Sequence, residues 1–434
     1  MAALVAPITA LLLSSTIFLV GMGLLGTLLP LRAEIEGFAP VVIGFMGSAY
    51  FAGFVAGCLI WPYGIRRVGH IRAFAIACAI FASAVLVHVL LVEPVVWIGL
   101  RILVGGCAAG LYMVIESWLN EHATNESRGQ VFSLYTALNF SGLVLGQILL
   151  TTAPPTSIAL FLVISMALSW SIVPVALTKT VQPAPPSAVR VRIRRLYALS
   201  PVGVVGCFLV GFCNSCFWTL GPAAMKGYGF GVSAIAAFMA VTILGGAIMQ
   251  VPLGRISDRF DRRLVLVATM TGTALVAGGL VTGLTIAGAG EIGMTPLLVG
   301  GFLLGSTALT GYALCIAHVN DQVSRGGFVE ASSGLLLAYG AGAAMGPVTA
   351  GLVGEIAGHA SPFAVMAASS LTLAGFALWR IAARKAVPPE ERTGFVAVAR
   401  TSPEAFGLDP RAAEETAGEP AAQEELPARR AASA

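Results

Sequence analysis

Two long runs without a charged side chain, Val232 to Val251 and Leu264 to Gly290, flank an island of six charges: Gly254-Arg255-Ile256-Ser257-Asp258-Arg259-Phe260-Asp261-Arg262-Arg263. A helix needs about 20 apolar residues to cross a bilayer, and each run is long enough. A turn this basic between two spans must sit in water, and such turns collect on the cytoplasmic side. A weaker copy, Pro62-Tyr63-Gly64-Ile65-Arg66-Arg67-Val68-Gly69-His70-Ile71-Arg72, lies near the start of the chain. If the two are equivalent, the chain is a duplicated membrane bundle.

Composition agrees. Of 434 residues, 57% are hydrophobic and only 11% charged, with mean hydropathy +0.87. Soluble domains carry about 25% charged residues, so lipid is the solvent for most of this chain and a soluble enzyme is excluded. The net charge of +4 is dispersed among loops, which argues against a nucleic-acid partner. All seven cysteines fall inside apolar runs and read as packing residues. No basic residue precedes the first apolar run, which reads as a first span rather than a cleaved leader.

Twelve spans are expected, at residues 7–30, 41–62, 73–92, 95–119, 129–151, 157–178, 199–223, 231–253, 264–286, 295–319, 328–352 and 362–383. With the N-terminus inside, all but three of the 25 Lys and Arg fall on the inner side; the exceptions are Arg32, Lys226 and the in-span Arg101. This fixes both termini in the cytoplasm and the chain in a bacterial inner membrane. The expected organisation is a six-helix bundle over 1–178, a cytoplasmic linker over 179–198, a second six-helix bundle over 199–384, and a tail over 385–434. The linker has a proline-rich, extended first part and a basic second part resting on anionic lipid. The tail is rich in Ala, Pro, Glu and Arg and reads as disordered.

The halves repeat. At an offset of 192 residues Pro30 meets Pro222, Gly53 meets Gly245 and Arg67 meets Arg259; at 200, Tyr112 meets Tyr312, Asn120 meets Asn320, Gly142 meets Gly342 and Gly146 meets Gly346. Two six-helix halves joined by a long inner loop are the plan of secondary transporters, with a midplane site between the halves.

These twelve spans, the middle loop and the Gly254-x-x-x-Asp258-Arg259-x-x-Arg262-Arg263 turn resemble the major facilitator superfamily over residues 7–384. More narrowly, Arg67-Val68-Gly69-His70-Ile71-Arg72-Ala73-Phe74, Glu116-Ser117-Trp118-Leu119-Asn120 and Ala317-His318-Val319-Asn320-Asp321 are similar to its YcaD-like branch. The resemblance implies an all-α protein of two pseudo-symmetric six-helix bundles, acting as a monomer. It also implies a cytoplasmic gate in which the turn's Asp meets a helix end of the opposite half and its Arg pairs with an acid at the inner end of helix four. Carried over, the gate comprises Arg67, Asp258, Arg259, Arg262, Glu121, Asn320 and Asp321, with Asn320 and Asp321 facing Arg259. Arg66 stands where the first turn should have its Asp, so that turn is the weaker latch.

Glu116 is the one carboxylate within a predicted span rather than at its edge or in a loop, and it lies near the inner end. It is a proton-coupling acid, the partner of Arg67 or Arg128 in the gate, or an inert interfacial acid. Arg101 is the leading binding residue. At 100° per residue Arg101, Ala108, Tyr112 and Glu116 share one helix face, a polar stripe of about 22 Å. An arginine in lipid costs roughly 2.5–3.5 kcal/mol, so Arg101 should face a cavity or snorkel to the surface. Asn139, Asn214 and Trp218 complete the expected substrate and proton pathway; Tyr135, Gln147, Gln250 and His318 are lesser polar candidates, and His88 reads as inert. No nucleophile–base pair, phosphate-cradling loop or metal-spaced His/Cys group occurs, so no catalysis, cofactor or metal is expected. The expected activity is alternating-access, proton-linked export of a small organic solute. The alternatives are uptake of a small anion through Arg101, and a membrane sensor that has lost transport.

Overall fold

In the computed structural model, which describes residues 2–124, 127–177, 183, 192–323, 328–383, 387–388, 392–396 and 401–408, the apolar runs become helices that extend past their hydrophobic limits. The first half holds α1 (Ala2–Ile35), α2 (Pro40–Val68), α3 (His70–Leu90), α4 (Pro94–His122), α5 (Arg128–Leu150), α6 (Ile158–Trp170) and α7 (Ile172–Ala176). A short α8 (Ile193–Leu199) precedes the second half: α9 (Pro201–Gly227), α10 (Val232–Arg259), α11 (Arg262–Glu291), α12 (Met294–Ala308), α13 (Gly311–Asn320), α14 (Phe328–Ala357) and α15 (Ser361–Ala383).

Local signals set the ends. Pro40, Pro94 and Pro201 occupy the first helical position, where the missing N–H costs nothing. Gly69, at φ 83°, divides α2 from α3 in a conformation that L side chains rarely adopt. Hydropathy places the end of the second span at residue 62, but the helix runs on to Val68, because arginines at a helix C-terminus favour the dipole and reach water. Among the described residues, eleven continuous helical segments are long and apolar enough to cross a membrane; the longest, Phe328–Ala383, is broken by the 3-10 turn Gly358–Ala360 into two crossings, giving the twelve expected. The span over 295–319 is interrupted at Leu309–Thr310. There the Thr310 hydroxyl donates to the carbonyls of Ser306 and Thr307 and competes with the helical ladder.

The duplication holds at the level of single contacts. Gly53 and Gly105 bring the backbones of α2 and α4 together: a Cβ at Gly53 would collide with the Ile102 carbonyl, and one at Gly105 with the Tyr50 carbonyl. Their repeat mates Gly245 and Gly305 do the same between α10 and α12, against Phe302 and Thr242, which are the mates of Ile102 and Tyr50. Gly142 and Gly146 seat α5 on α1, and Gly342 and Gly346 seat α14 on α9. Without a hydrophobic drive between helices in lipid, such close approach supplies the packing energy. Gly105→Ala and Gly305→Ala should therefore each lose about 1–3 kcal/mol by overpacking. Unfolding in detergent checks this: wild-type midpoints for both would refute the close packing, and a loss in only one would refute the equivalence of the two crossings.

Between the halves, α2 runs along α14, α5 along α10 and α1 along α9. The basic turns 66–72 and 254–263 mark one face of the bundle, here the basic face. On the opposite face the halves are in direct contact. Gly44 and Gly351 let α14 and α2 touch, so that a Cβ at Gly44 would lie 3.1 Å from the Pro347 carbonyl carbon and one at Gly351 2.8 Å from the Val41 Cα. The Val348 N–H donates to Ser48 Oγ at 3.1 Å, and the Val41 N–H to Glu355 Oε1 at 3.3 Å.

The linker's extended part, 178–182 and 184–191, lies outside the described residues; Arg192, Arg194 and Arg195 are exposed around α8. Disorder over 385–434 does not hold for all of the described tail. Residues 392–396 lie on the basic face, and 401–408, ending in the 3-10 turn Pro403–Leu408, pack against α4, α5 and α14. The reason is burial: Phe406 and Leu408 are fully enclosed, each worth roughly 1.5–3 kcal/mol. The remainder of the tail lies outside the described residues.

Candidate functional site

A cavity of about 250 Å³ lies between the halves, walled by α1, α2, α4 and α5 on one side and by α9, α10, α13, α14 and Leu309 on the other. Its walls are mostly aromatic and aliphatic. Arg101 is the cation in them. Its guanidinium carbon sits 4.3 Å above the Tyr50 ring centroid, in cation–π contact. Arg101 thus faces the cavity and does not snorkel, and among the described residues it forms no ion pair. The Gly53–Gly105 crossing places it there by bringing the α4 backbone onto Tyr50.

The α4 stripe is divided by depth. Tyr112 lines the cavity and packs edge-on against Phe18, with ring centroids 5.2 Å apart. Glu116, one turn closer to the basic face, is completely buried and lies behind the wall. It accepts a hydrogen bond from the Tyr135 hydroxyl at 2.7 Å, and others from the hydroxyls of Thr401 and Ser402 in the tail. Asn139 and Trp218 line the cavity, and the Asn139 amide makes no hydrogen bond of normal geometry. Asn214 does not line it; it is fully buried in the α9 packing.

The basic face carries a second polar centre. Arg262, 2% exposed, donates from Nε to Asp321 Oδ2 at 2.7 Å, from Nη1 to Ser257 Oγ at 2.9 Å and from Nη2 to the Thr393 carbonyl, and it lies 3.0 Å from Asp258 Oδ1. Asp321 in turn accepts from the Thr393 N–H and hydroxyl, at 3.0 and 3.1 Å. Asp261 caps α11 by accepting from the Arg263 N–H, and despite burial the Arg263 hydrogen bonds hold its carboxyl below the usual carboxylate range.

This geometry corrects the expected pairings. Asp321 pairs with Arg262, not Arg259, which is the exposed last residue of α10. Asp258 meets Arg262 and the Phe395 N–H of the tail, not a helix end of the other half. Arg67 and Glu121 are exposed and form no ion pair among the described residues. Glu116 has neither Arg67 nor Arg128 as an ion-pair partner, because hydroxyls reach its carboxylate first. Asn320 is buried with its amide unpaired, whereas its repeat mate Asn120 donates to the Glu404 carbonyl at 2.6 Å. Glu404 is half-buried beside α4, and burial pushes its carboxyl up to about 7.

Tyr50, Tyr339 and Thr401 are cavity residues that the sequence reading did not select. Tyr312, already paired with Tyr112 by the repeat, also lines the cavity, in edge contact with Tyr339 at 5.1 Å. For Thr401 a faint signal existed, since Phe406 and Leu408 punctuate a polar tail.

The profile of the Major Facilitator Superfamily matches residues 11–289 and 203–413, which covers both halves. The chain belongs to the major facilitator superfamily. An uncharacterized MFS-type transporter of Yersinia pestis is 27% identical over 351 residues, 80% of this chain and 88% of the relative. The uncharacterized MFS-type transporter YcaD of Escherichia fergusonii is 28% identical over 343 residues, covering 79% and 87%. Among solved structures, a point mutant of the nucleoside transporter NupG superposes with a TM-score of 0.74 at 13% identity, over 86% of this chain and 99% of that one. A D-xylose-proton symporter reaches 0.67 at 13% identity, over 90% and 99%. These likenesses establish the fold of this multi-pass membrane protein, a member of a family of secondary transporters.

Proposed function

We propose that this major facilitator is a proton-linked secondary transporter, working by alternating access, for a small organic solute that carries an anionic group on an apolar or aromatic body. The basic face is cytoplasmic, the membrane is a bacterial inner membrane, and the direction is export. One observation carries the substrate reading: Arg101 stands in the cavity wall, over Tyr50, without an acidic partner among the described residues. A half-buried guanidinium with no acid beside it gains most from a carboxylate or similar anion. Tyr112, Trp218, Tyr312 and Tyr339 supply the surface for the rest of the solute, and Asn139 an amide for orientation. Glu116, hydrogen-bonded to Tyr135 and buried beside the cavity without a cation, is the proton carrier. Asp258, Arg262 and Asp321 form the latch on the basic face, with Arg259 and Asn320 next to them in the chain; Arg67 and Glu121 stand exposed at the basic-face ends of α2 and α4.

The test begins with a thermal-shift screen of the purified protein against small organic anions and their neutral analogues. A hit is then measured for binding and for flux in proteoliposomes. Arg101→Ala should weaken binding about tenfold to a hundredfold, the worth of a charge-assisted hydrogen bond. Glu116→Gln should retain binding but lose the pH dependence of flux. Unchanged affinity in the first variant removes the anion reading, and an unchanged pH profile in the second removes the proton role.

A further inference from the structure

After the last transmembrane helix the chain turns back onto the bundle. Residues 392–396 follow the basic-face ends of α10 and α13. Arg392 donates to the Phe260 carbonyl at 2.7 Å, Thr393 is held by Asp321, and the Phe395 N–H donates to Asp258 at 3.2 Å. The Phe395 ring rests on Gly254, where a Cβ would collide with it.

Residues 401–408 then enter the space between the halves. Ser402, Ala405, Phe406 and Leu408 are completely buried. Phe406 joins the hydrophobic cluster of the second half, and Leu408 the cluster that contains the first half's core. The hydroxyls of Thr401 and Ser402 bind Glu116, and Asn120 holds the Glu404 carbonyl. Thr401 itself forms part of the cavity wall.

We propose that the described tail residues, 393–396 on the basic face and 401–408 between the halves, are a built-in plug, which closes the basic-face mouth of the cavity and locks the two halves together. The opposite face is already shut by α2 against α14. A solute in the cavity therefore has no exit until this segment withdraws. The same segment blocks the reverse movement. Rocking the halves together on the basic face requires the volume that Phe406 and Leu408 fill, and each half is tied to the segment by its own polar anchors. The docked segment also sequesters the Glu116 carboxylate, so its release would free both the mouth and the proposed proton carrier. This goes beyond the transport reading and is tested without a substrate, so the two can fail separately.

The probe is a bulky, water-soluble maleimide on the purified full-length chain in detergent, with modification of Cys58, a cavity residue, followed by mass spectrometry. A chain ending at Arg392 should label at Cys58 at least about tenfold faster than the full-length chain, as expected when a docked segment is lost. In the full-length chain Ser402→Asp sets a second carboxylate against Glu116 and should accelerate labelling in the same way. The Ser402→Asp, Glu116→Gln double variant should return it to the wild-type rate, which mere misfolding would not do. Equal labelling of the full-length and shortened chains overturns the plug. If the shortened chain does not purify, failure of Ser402→Asp to change the rate overturns it instead.

Discussion

Asp321→Ala should destabilise the protein by about 3–5 kcal/mol, the cost of leaving one member of a buried ion pair uncompensated. Arg262 and Asp321 are 1% and 2% exposed at their side chains and meet at 2.7 Å. Removing the acid leaves a desolvated guanidinium with Asp258, whose side chain is 35% exposed, as its remaining carboxylate. It also takes the acceptor from Thr393, so the tail loses an anchor. Unfolding in detergent reads the loss. The control is Arg262→Met with Asp321→Leu, which removes both charges and should recover most of it. If the single variant is as stable as wild type, the pair lies in water and is no latch.

Gly44→Leu should have the largest effect on conformation. In the present state α2 meets α14 backbone to backbone at Gly44, and even a Cβ there would be 3.1 Å from the Pro347 carbonyl carbon and 3.2 Å from the Val348 Cα. The rest of a leucine has nowhere to go while the opposite face is shut, and in a state where that face opens it has room. The substitution therefore penalises one state of a two-state equilibrium. Turning a 99:1 population into 1:99 takes about 5.5 kcal/mol, and a forced separation of two packed helices supplies energy of that order. Ser48→Ala, which removes only the hydroxyl that accepts from the Val348 N–H, should shift the balance far less.

The fold was legible because lipid demands long apolar helices and water claims the charges between them. The duplication was legible because glycines at helix crossings have no substitute, and Gly53, Gly142 and Gly146 all have mates. Arg101 was legible only in part: a charge inside a span must face a cavity or snorkel to the surface, and the residues that make the cavity, spread over both halves, decide which. Pairing was not. Asp321 pairs with Arg262, 59 residues away, and not with the expected Arg259, and nothing local marks that choice. The tail was the least legible. Read by composition, residues 401–408 cannot bury enough surface to fold alone. They are ordered by a groove made elsewhere, and their bond to Glu116 spans 285 residues.

The central claim is that this is one of two states of a rocking bundle. Its most direct test is pulsed-EPR distance measurement with paired spin labels. One pair sits at Ala39 and Ser233 on the opposite face, the other at Arg72 and Leu264 on the basic face; all four positions are exposed, with one of each pair in each half. The account predicts a short opposite-face distance with a long basic-face one in the present state, and the reverse in a second population that Gly44→Leu enriches once Ser402→Asp has released the tail. A single distance on each face, unmoved by Gly44→Leu in the folded, tail-released protein, would contradict it.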